Sequence, residues 1–277
     1  MWKMAQFQSS KVERMIDASP QSVAEDIARR HRVREQFTLD LPQGHERDLD
    51  FAYAVQANLL PLIAPGGDVR RAGYKIGVTT PPMQKMCGIP SPVAGVVFAH
   101  RLHRTPATTR AADHARLGIE SEMALRIGKT LPVDASLTAD AVIDHISDAC
   151  AAFELIDDCN ADYTRLTGMM LIADNGWNAG LVLGPPQSVR GRRSLAGLRS
   201  TLTMNGKNIG TGTSNDVLGD PFNAILWLHR HLVSQGRTLQ EGEWVTTGSL
   251  IVTQFAVAGQ TYVHEVEGFS PVQVTVT

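Results

Sequence analysis

A chain of 277 residues, 43% of them apolar, has enough apolar material for a large core, and its 26 basic and 28 acidic side chains leave a net charge of -2 spread along the length. That balance gives no electrostatic footprint for nucleic acid or an anionic membrane, so the expected partner is a small molecule. No apolar run approaches the roughly 20 residues that cross a bilayer, and the opening segment with Lys3, Lys11, Glu13 and Arg14 lacks the layout of a secretory signal, so a cytoplasmic location is expected.

Ser19-Pro20 reads as an N-cap followed by proline at the first helical position, with Val23, Ile27 and Ala28 at helical spacing, which predicts a helix over about 20–35. A second helix over roughly 47–60 follows the Pro42-Gln43-Gly44 break and is expected to end at Pro61. From Ala72 onward glycines, prolines and β-branched residues divide the chain into strand-length pieces. Two later helices are expected, over about 139–152 with Thr138 as cap and over about 221–235 between Asp220-Pro221 and Gly236. Ala173-Asp174-Asn175-Gly176 and Gly210-Thr211-Gly212-Thr213 read as polar turns, and Val272, Val274 and Val276 alternate as in a strand with one buried face. The fold class is α+β, with a small helical region over 1–71 packed on a larger β-rich domain over 72–277. Cys87, Cys150 and Cys159 are odd in number and lack CxxC or CxxH spacing, against both a disulfide framework and a zinc site.

Gly118 to Ile127 reads as a strand, whose period of two puts Glu120 and Glu122 on one face. Paired carboxylates suit a hard divalent cation such as Mg²⁺ or Mn²⁺, although a solvated strand face has the same pattern. Glu154 stands where the predicted helix meets an apolar strand; it is either exposed or needs a partner, because burying an unpaired carboxylate is costly. Lys75, in Gly73-Tyr74-Lys75-Ile76-Gly77, is a single cation in an apolar segment, placed either against an anion or on an edge strand. Ser249 is a hydroxyl at a strand end without a nucleophile-elbow pattern.

In order along the chain, Ala52-Tyr53-Ala54-Val55-Gln56, Tyr74-Lys75-Ile76-Gly77, the Glu120/Glu122 pair, Glu154, Ala173-Asp174-Asn175, Val217-Leu218-Gly219-Asp220-Pro221, Trp227-Leu228 and Thr247-Gly248-Ser249-Leu250 resemble the 2-keto-4-pentenoate hydratase and 4-oxalocrotonate decarboxylase branch of the fumarylacetoacetate hydrolase superfamily. The resemblance implies a β-rich roll, Glu120, Glu122 and Glu154 as ligands of Mg²⁺ or Mn²⁺, a catalytic and substrate-binding Lys75, substrate binding by Asp174 and Ser249, and a homo-oligomer. It further implies a lyase acting on a small 2-oxo (2-hydroxydienoic) acid, first a hydratase and second a decarboxylase or C–C hydrolase at the same metal. A non-catalytic ligand-binding relative is the alternative of another class.

Three departures accompany the likeness. Pro92-Val93-Ala94-Gly95 lacks the aspartate that usually follows that proline, His100 replaces another aspartate, and Asp158-Cys159 replaces a Ser-Arg pair. Histidine titrates near neutral pH, so His100 is either the candidate to carry the proton that the missing carboxylate would move or a surface histidine beside Arg101 and His103.

Overall fold

The structure, a computed structural model, describes residues 19–277. The opening segment with Lys3, Lys11, Glu13 and Arg14 lies outside the described residues.

The Ser19 hydroxyl caps α1 (Pro20–Val33) by accepting from the Ser22 N–H at 3.2 Å, and Val23, Ala24, Ile27 and Ala28 form its buried stripe. Asp48 caps α2 (Leu49–Ile63) in the same way through Phe51. Contrary to expectation, α2 continues past Pro61. Proline removes only its own N–H from the ladder, and the last turn still closes through Ala64 N–H on Leu60 O at 3.1 Å.

The β-rich part begins with β1 (Arg71–Gly77), α3 (Pro81–Cys87), β2 (Val93–Phe98), β3 (Leu102–Arg104), β4 (Ala107–Thr109) and β5 (Leu117–Ile127). Thr138 caps a helix as expected, but α4 (Ala139–Ile143) stops after one turn, and β6 (Ile146–Asp157) takes up the rest of the predicted helix. The run Ala149-Cys150-Ala151-Ala152 reads as helical by propensity, yet it is fully buried between β5 and the next strand, where small side chains fit. Next come α5 (Gly168–Ala173), β7 (Asn178–Leu183), β8 (Gln187–Ser188), β9 (Arg199–Met204) and β10 (Lys207–Thr213). The expected turn at Gly210–Thr213 is thus the end of a strand. Gly210 and Gly212 let β10 pass so close to Leu250 and Ile251 that a Cβ would collide with them. The chain closes with α6 (Pro221–Ser234), β11 (Trp244–Phe255), β12 (Thr261–Val266) and the expected terminal strand β13 (Val272–Val276).

Two mixed sheets form a roll. The larger runs β2-β1-β11-β5-β6-β7-β3 with β8 on β6, and the smaller runs β10-β9-β12-β13-β4. The main core joins Ile119, Met123 and Phe153 of the large sheet to Leu202, Tyr262 and Val274 of the small one, with Phe222, Ile225 and Leu228 of α6. A second core sets α1 and α2 against Met169 to Ala173 and Trp177. That second core carries α5 and the residues after it toward the open face of β5, β6 and β11. No helix among the described residues is long and apolar enough to cross a membrane.

Candidate metal centre

Register on the large sheet brings the acidic residues together. Glu120 on β5 pairs directly with Glu154 on β6, and Glu122 pairs with Ser249 on β11. Glu120 and Glu122 share a face by the strand period, while Ile119 and Met123 turn to the main core. One oxygen from each of Glu120, Glu122 and Glu154 lies within 4.8 Å of the others.

Each glutamate is held by one oxygen. Thr253 Oγ1 donates to Glu120 Oε1 at 2.7 Å, the Gly248 N–H donates to Glu122 Oε2 at 2.8 Å, and Asn178 Nδ2 donates to Glu154 Oε1 at 2.8 Å. Gly248 has φ +116° and sits hard against Thr79, a position that no side chain could occupy, which leaves its N–H aimed at Glu122. Glu122 Oε1 and Glu154 Oε2 are buried without any hydrogen-bond partner. Two lone carboxylate oxygens facing a third carboxylate are the donor set of a hard cation, and Mg²⁺ or Mn²⁺ fits them.

Lys75 comes from β1, which lies parallel to β11 on the side away from β5, and its Nζ stands 3.4 Å from Glu154 Oε1. The edge-strand alternative is excluded, because Lys75 is 5% exposed and β1 lies between β2 and β11. Burial acts against its charge, but Glu154, Glu120 and Glu122 outweigh it and raise the Lys75 pKa above the ordinary lysine value. Burial, then Glu154 and Glu120, push the Glu122 carboxyl well above the usual carboxylate range. Burial, with Glu120 adding to it, pushes Glu154 up to about 7 despite the opposing charge of Lys75. Without a cation, the cluster is a concentration of buried negative charge that one ammonium offsets in part.

The cluster opens into a cavity of about 370 Å³ whose walls include Lys75, Glu120, Ser249 and Thr253. Ser249 therefore reaches the site, although its hydroxyl donates to Ile251 O at 2.6 Å. It lies inside β11 rather than at a strand end. Asp174 does not line this cavity. It is buried beside a neighbouring one of about 410 Å³, where it pairs with His31 Nε2 at 2.7 Å. His100 is apart from both cavities: it is exposed, and its ring stacks on Phe98 at 5.3 Å. Val93, at the place of the missing aspartate, contributes apolar wall.

Asn178 and Thr253 escaped sequence reasoning. For Thr253 a signal existed, since Ser249, Ile251 and Thr253 recur at the strand period; nothing local marks Asn178.

Fold and site together describe a two-sheet roll with a carboxylate centre suited to a divalent metal. Residues 78–277 match the model of the fumarylacetoacetate (FAA) hydrolase C-terminal family, and the chain belongs to that family. It is 31% identical over 230 residues to the 2-keto-4-pentenoate hydratase of Paraburkholderia phymatum, covering 83% of this chain and 87% of that one. It is 32% identical over 209 residues to the TodF product hydratase of Pseudomonas putida, covering 74% and 75%. Among solved structures, 4-oxalocrotonate decarboxylase from Pseudomonas putida G7, complexed with magnesium and adipate, shares the fold with a TM-score of 0.84 at 19% identity, over 93% of this chain and 97% of that one. Fumarylpyruvate hydrolase from Pseudomonas aeruginosa, in complex with Mn²⁺ and pyruvate, gives a TM-score of 0.59 at 14% identity, over 76% and 90%.

Proposed function

We propose that this chain is a Mg²⁺- or Mn²⁺-dependent lyase that adds water across the double bond of a small 2-hydroxydienoic acid, the enol form of a 2-oxo acid. The observation that carries the reading is the pair of unpartnered oxygens, Glu122 Oε1 and Glu154 Oε2, grouped with Glu120 and Lys75, the last two of which line a largely apolar cavity. Hydration rather than decarboxylation is favoured by the relatives at about 30% identity, which are named hydratases. The decarboxylase alternative rests on likeness of fold.

Glu120, Glu122 and Glu154 would hold the cation, whose chemistry when bound is Lewis-acid polarisation of the 2-oxo group. Thr253, Gly248 and Asn178 each donate to one oxygen of a glutamate and so fix the orientation of the three carboxylates. Lys75 supplies a fixed positive charge for the substrate carboxylate; since its ammonium already faces Glu154, little rearrangement is needed to meet a second anion. The burial of Lys75, Glu122 and Glu154 lowers the local dielectric and strengthens each of these charge interactions. Ser249 and Asp174 join the reading as residues of the site and its support: Ser249 lines the cavity, and Asp174 begins the turn that leads to Trp177 and Asn178. Homo-oligomerisation belongs to the same reading, with Val252 and Val257 as exposed apolar surface available to a second copy.

The test is product analysis with Mn²⁺ in isotope-labelled water. Turnover of a 2-hydroxydienoic acid to a hydroxylated 2-oxo acid with labelled oxygen in its new hydroxyl group is expected. Release of CO₂, or cleavage into two fragments, would assign the site to the decarboxylase or hydrolase reaction instead.

A further inference from the structure

The neighbouring cavity of about 410 Å³ lies where the helical region meets the roll, with walls from the ends of α1 and α2, the segment before β5, the end of β6 and the turn that leads into β7. Among the described residues, only Trp177 borders both this cavity and the one at the carboxylate centre. Three arginines line it, Arg32, Arg34 and Arg101, and none of them makes an ion pair among the described residues. Its acids, by contrast, are all engaged. Asp113 pairs with Arg110 at 3.5 Å, Asp174 pairs with His31 at 2.7 Å, and Asp157 accepts the Ala115 and Arg116 N–H groups at 2.9 and 3.0 Å.

Arg32 and Arg34 are exposed at the end of α1, where a cation also complements the helix C-terminus. Arg101 has no such alternative. It follows β2 and is half-buried, burial holds its pKa below the ordinary arginine value, and its one side-chain hydrogen bond is to Asn178 O at 3.3 Å. Most of its N–H donors therefore have no partner in the chain. Asn178 and Asp174 also line the cavity, and each keeps a buried acceptor without a partner, Oδ1 and Oδ2 respectively. A buried acceptor is destabilising until something donates to it. An unpaired guanidinium near unfilled acceptors suits a molecule that is anionic at one end and a donor at the other.

We propose that this cavity binds a small organic carboxylate that carries a hydrogen-bond donor of its own, a hydroxy or amino acid. The carboxylate would sit on Arg101, which can offer it two parallel N–H donors, and the hydroxyl or ammonium would serve Asn178 Oδ1 and Asp174 Oδ2. Arg32 and Arg34 add attraction from the exposed side. An inorganic ion would fill little of the volume, and a carboxylate without a donor would satisfy the arginines alone.

Calorimetry on the full chain with Mg²⁺ present tests this with succinate, malate and aspartate, which share a carbon skeleton and differ in the donor they carry. Malate or aspartate is expected to bind at least about tenfold more tightly than succinate. Succinate binding as tightly as both, or no binding by any of the three, would overturn the proposal. For the tighter ligand, Arg101→Gln, which can still donate to Asn178 O, should weaken binding by roughly tenfold or more. Arg32→Gln/Arg34→Gln should weaken it by about two- to fivefold. That double variant changes exposed positions only, so it decides the matter even if Arg101→Gln fails to fold, and unchanged binding in it would count against the site. Glu120→Ala/Glu122→Ala should bind the ligand as the parent does; loss of binding there would place the ligand at the carboxylate centre and overturn the assignment.

Discussion

Asp158 and Glu154 are both fully buried carboxylates, one on β6 and one just past its end, yet their surroundings are opposite. Asp158 is closed. Arg116 grips it with two nitrogens, Asn160 N–H donates to Oδ1 at 3.0 Å, and Tyr163 Oη donates to Oδ2 at 3.0 Å. Glu154 keeps one oxygen empty and faces two further glutamates. The first arrangement neutralises a charge within the chain; the second reserves a charge for something that arrives. Burial alone therefore does not single out a candidate functional acid; at Glu154 it is the unfilled oxygen together with the neighbouring glutamates that does.

Breaking the closed pair should have the largest effect on stability. Asp158→Ala strands the Arg116 charge and is expected to cost about 3–5 kcal/mol in chemical denaturation, with Mg²⁺ binding by the folded protein retained. A variant as stable as the parent would mean that the pair is not structural.

A second closed site packs on β6 from the small sheet. His264 Nδ1 faces Ala152 O at 3.2 Å and Nε2 faces Ser200 Oγ at 2.8 Å, which suits a neutral ring with its proton on Nδ1. Burial pushes the His264 pKa down from 6.5 to about 4. The unfolded chain therefore takes up a proton below pH 6.5 that the folded chain refuses until about pH 4, so stability falls as pH falls through that window. The loss from this residue should total on the order of 3 kcal/mol and level off below the window. Denaturation across pH should show a shallower decline for His264→Gln than for the parent; parallel curves would contradict the assignment.

At the open cluster the sign reverses. Glu122→Gln removes a repelling charge and retains an acceptor for Gly248 N–H, so the chelated protein should gain about 1–2 kcal/mol in thermal or chemical denaturation. A loss of stability would show that Glu122 serves the fold. The smallest effect belongs to His100→Ala, expected within about 0.5 kcal/mol of the parent and neutral for turnover, since the exposed ring touches neither cavity. A fall in turnover would return His100 to the site by a route this arrangement lacks.

Local pattern revealed what depends on local geometry. The period of two placed Glu120 and Glu122 on one face, the alternation of Val272, Val274 and Val276 marked β13, and the Ser19 and Asp220 caps located α1 and α6. What depends on long-range pairing stayed hidden. Ala149 to Ala152 have a helical composition, and only the neighbouring strands compel them into β6. Glu154 was singled out, but its position opposite Glu120 is a matter of register, and Asn178 reaches it from a strand 24 residues later. The place of Asp158 in the family pattern also became intelligible only in three dimensions, because its partner Arg116 precedes it by 42 residues. The resemblance could name candidate ligands, but the unpartnered oxygens that suit Glu122 and Glu154 to a cation are visible only in the fold.

The central claim is that Glu120, Glu122 and Glu154 hold a divalent cation at which a 2-oxo acid is bound. Calorimetric titration of Mg²⁺ and Mn²⁺ into chelator-treated protein with oxalate present, in parallel with Glu120→Ala/Glu122→Ala, tests it most directly. Saturable binding by the parent, lost by at least roughly a hundredfold in the variant, is the predicted result. Equal binding by both proteins would place the cation elsewhere, and no binding by the parent would contradict the claim outright.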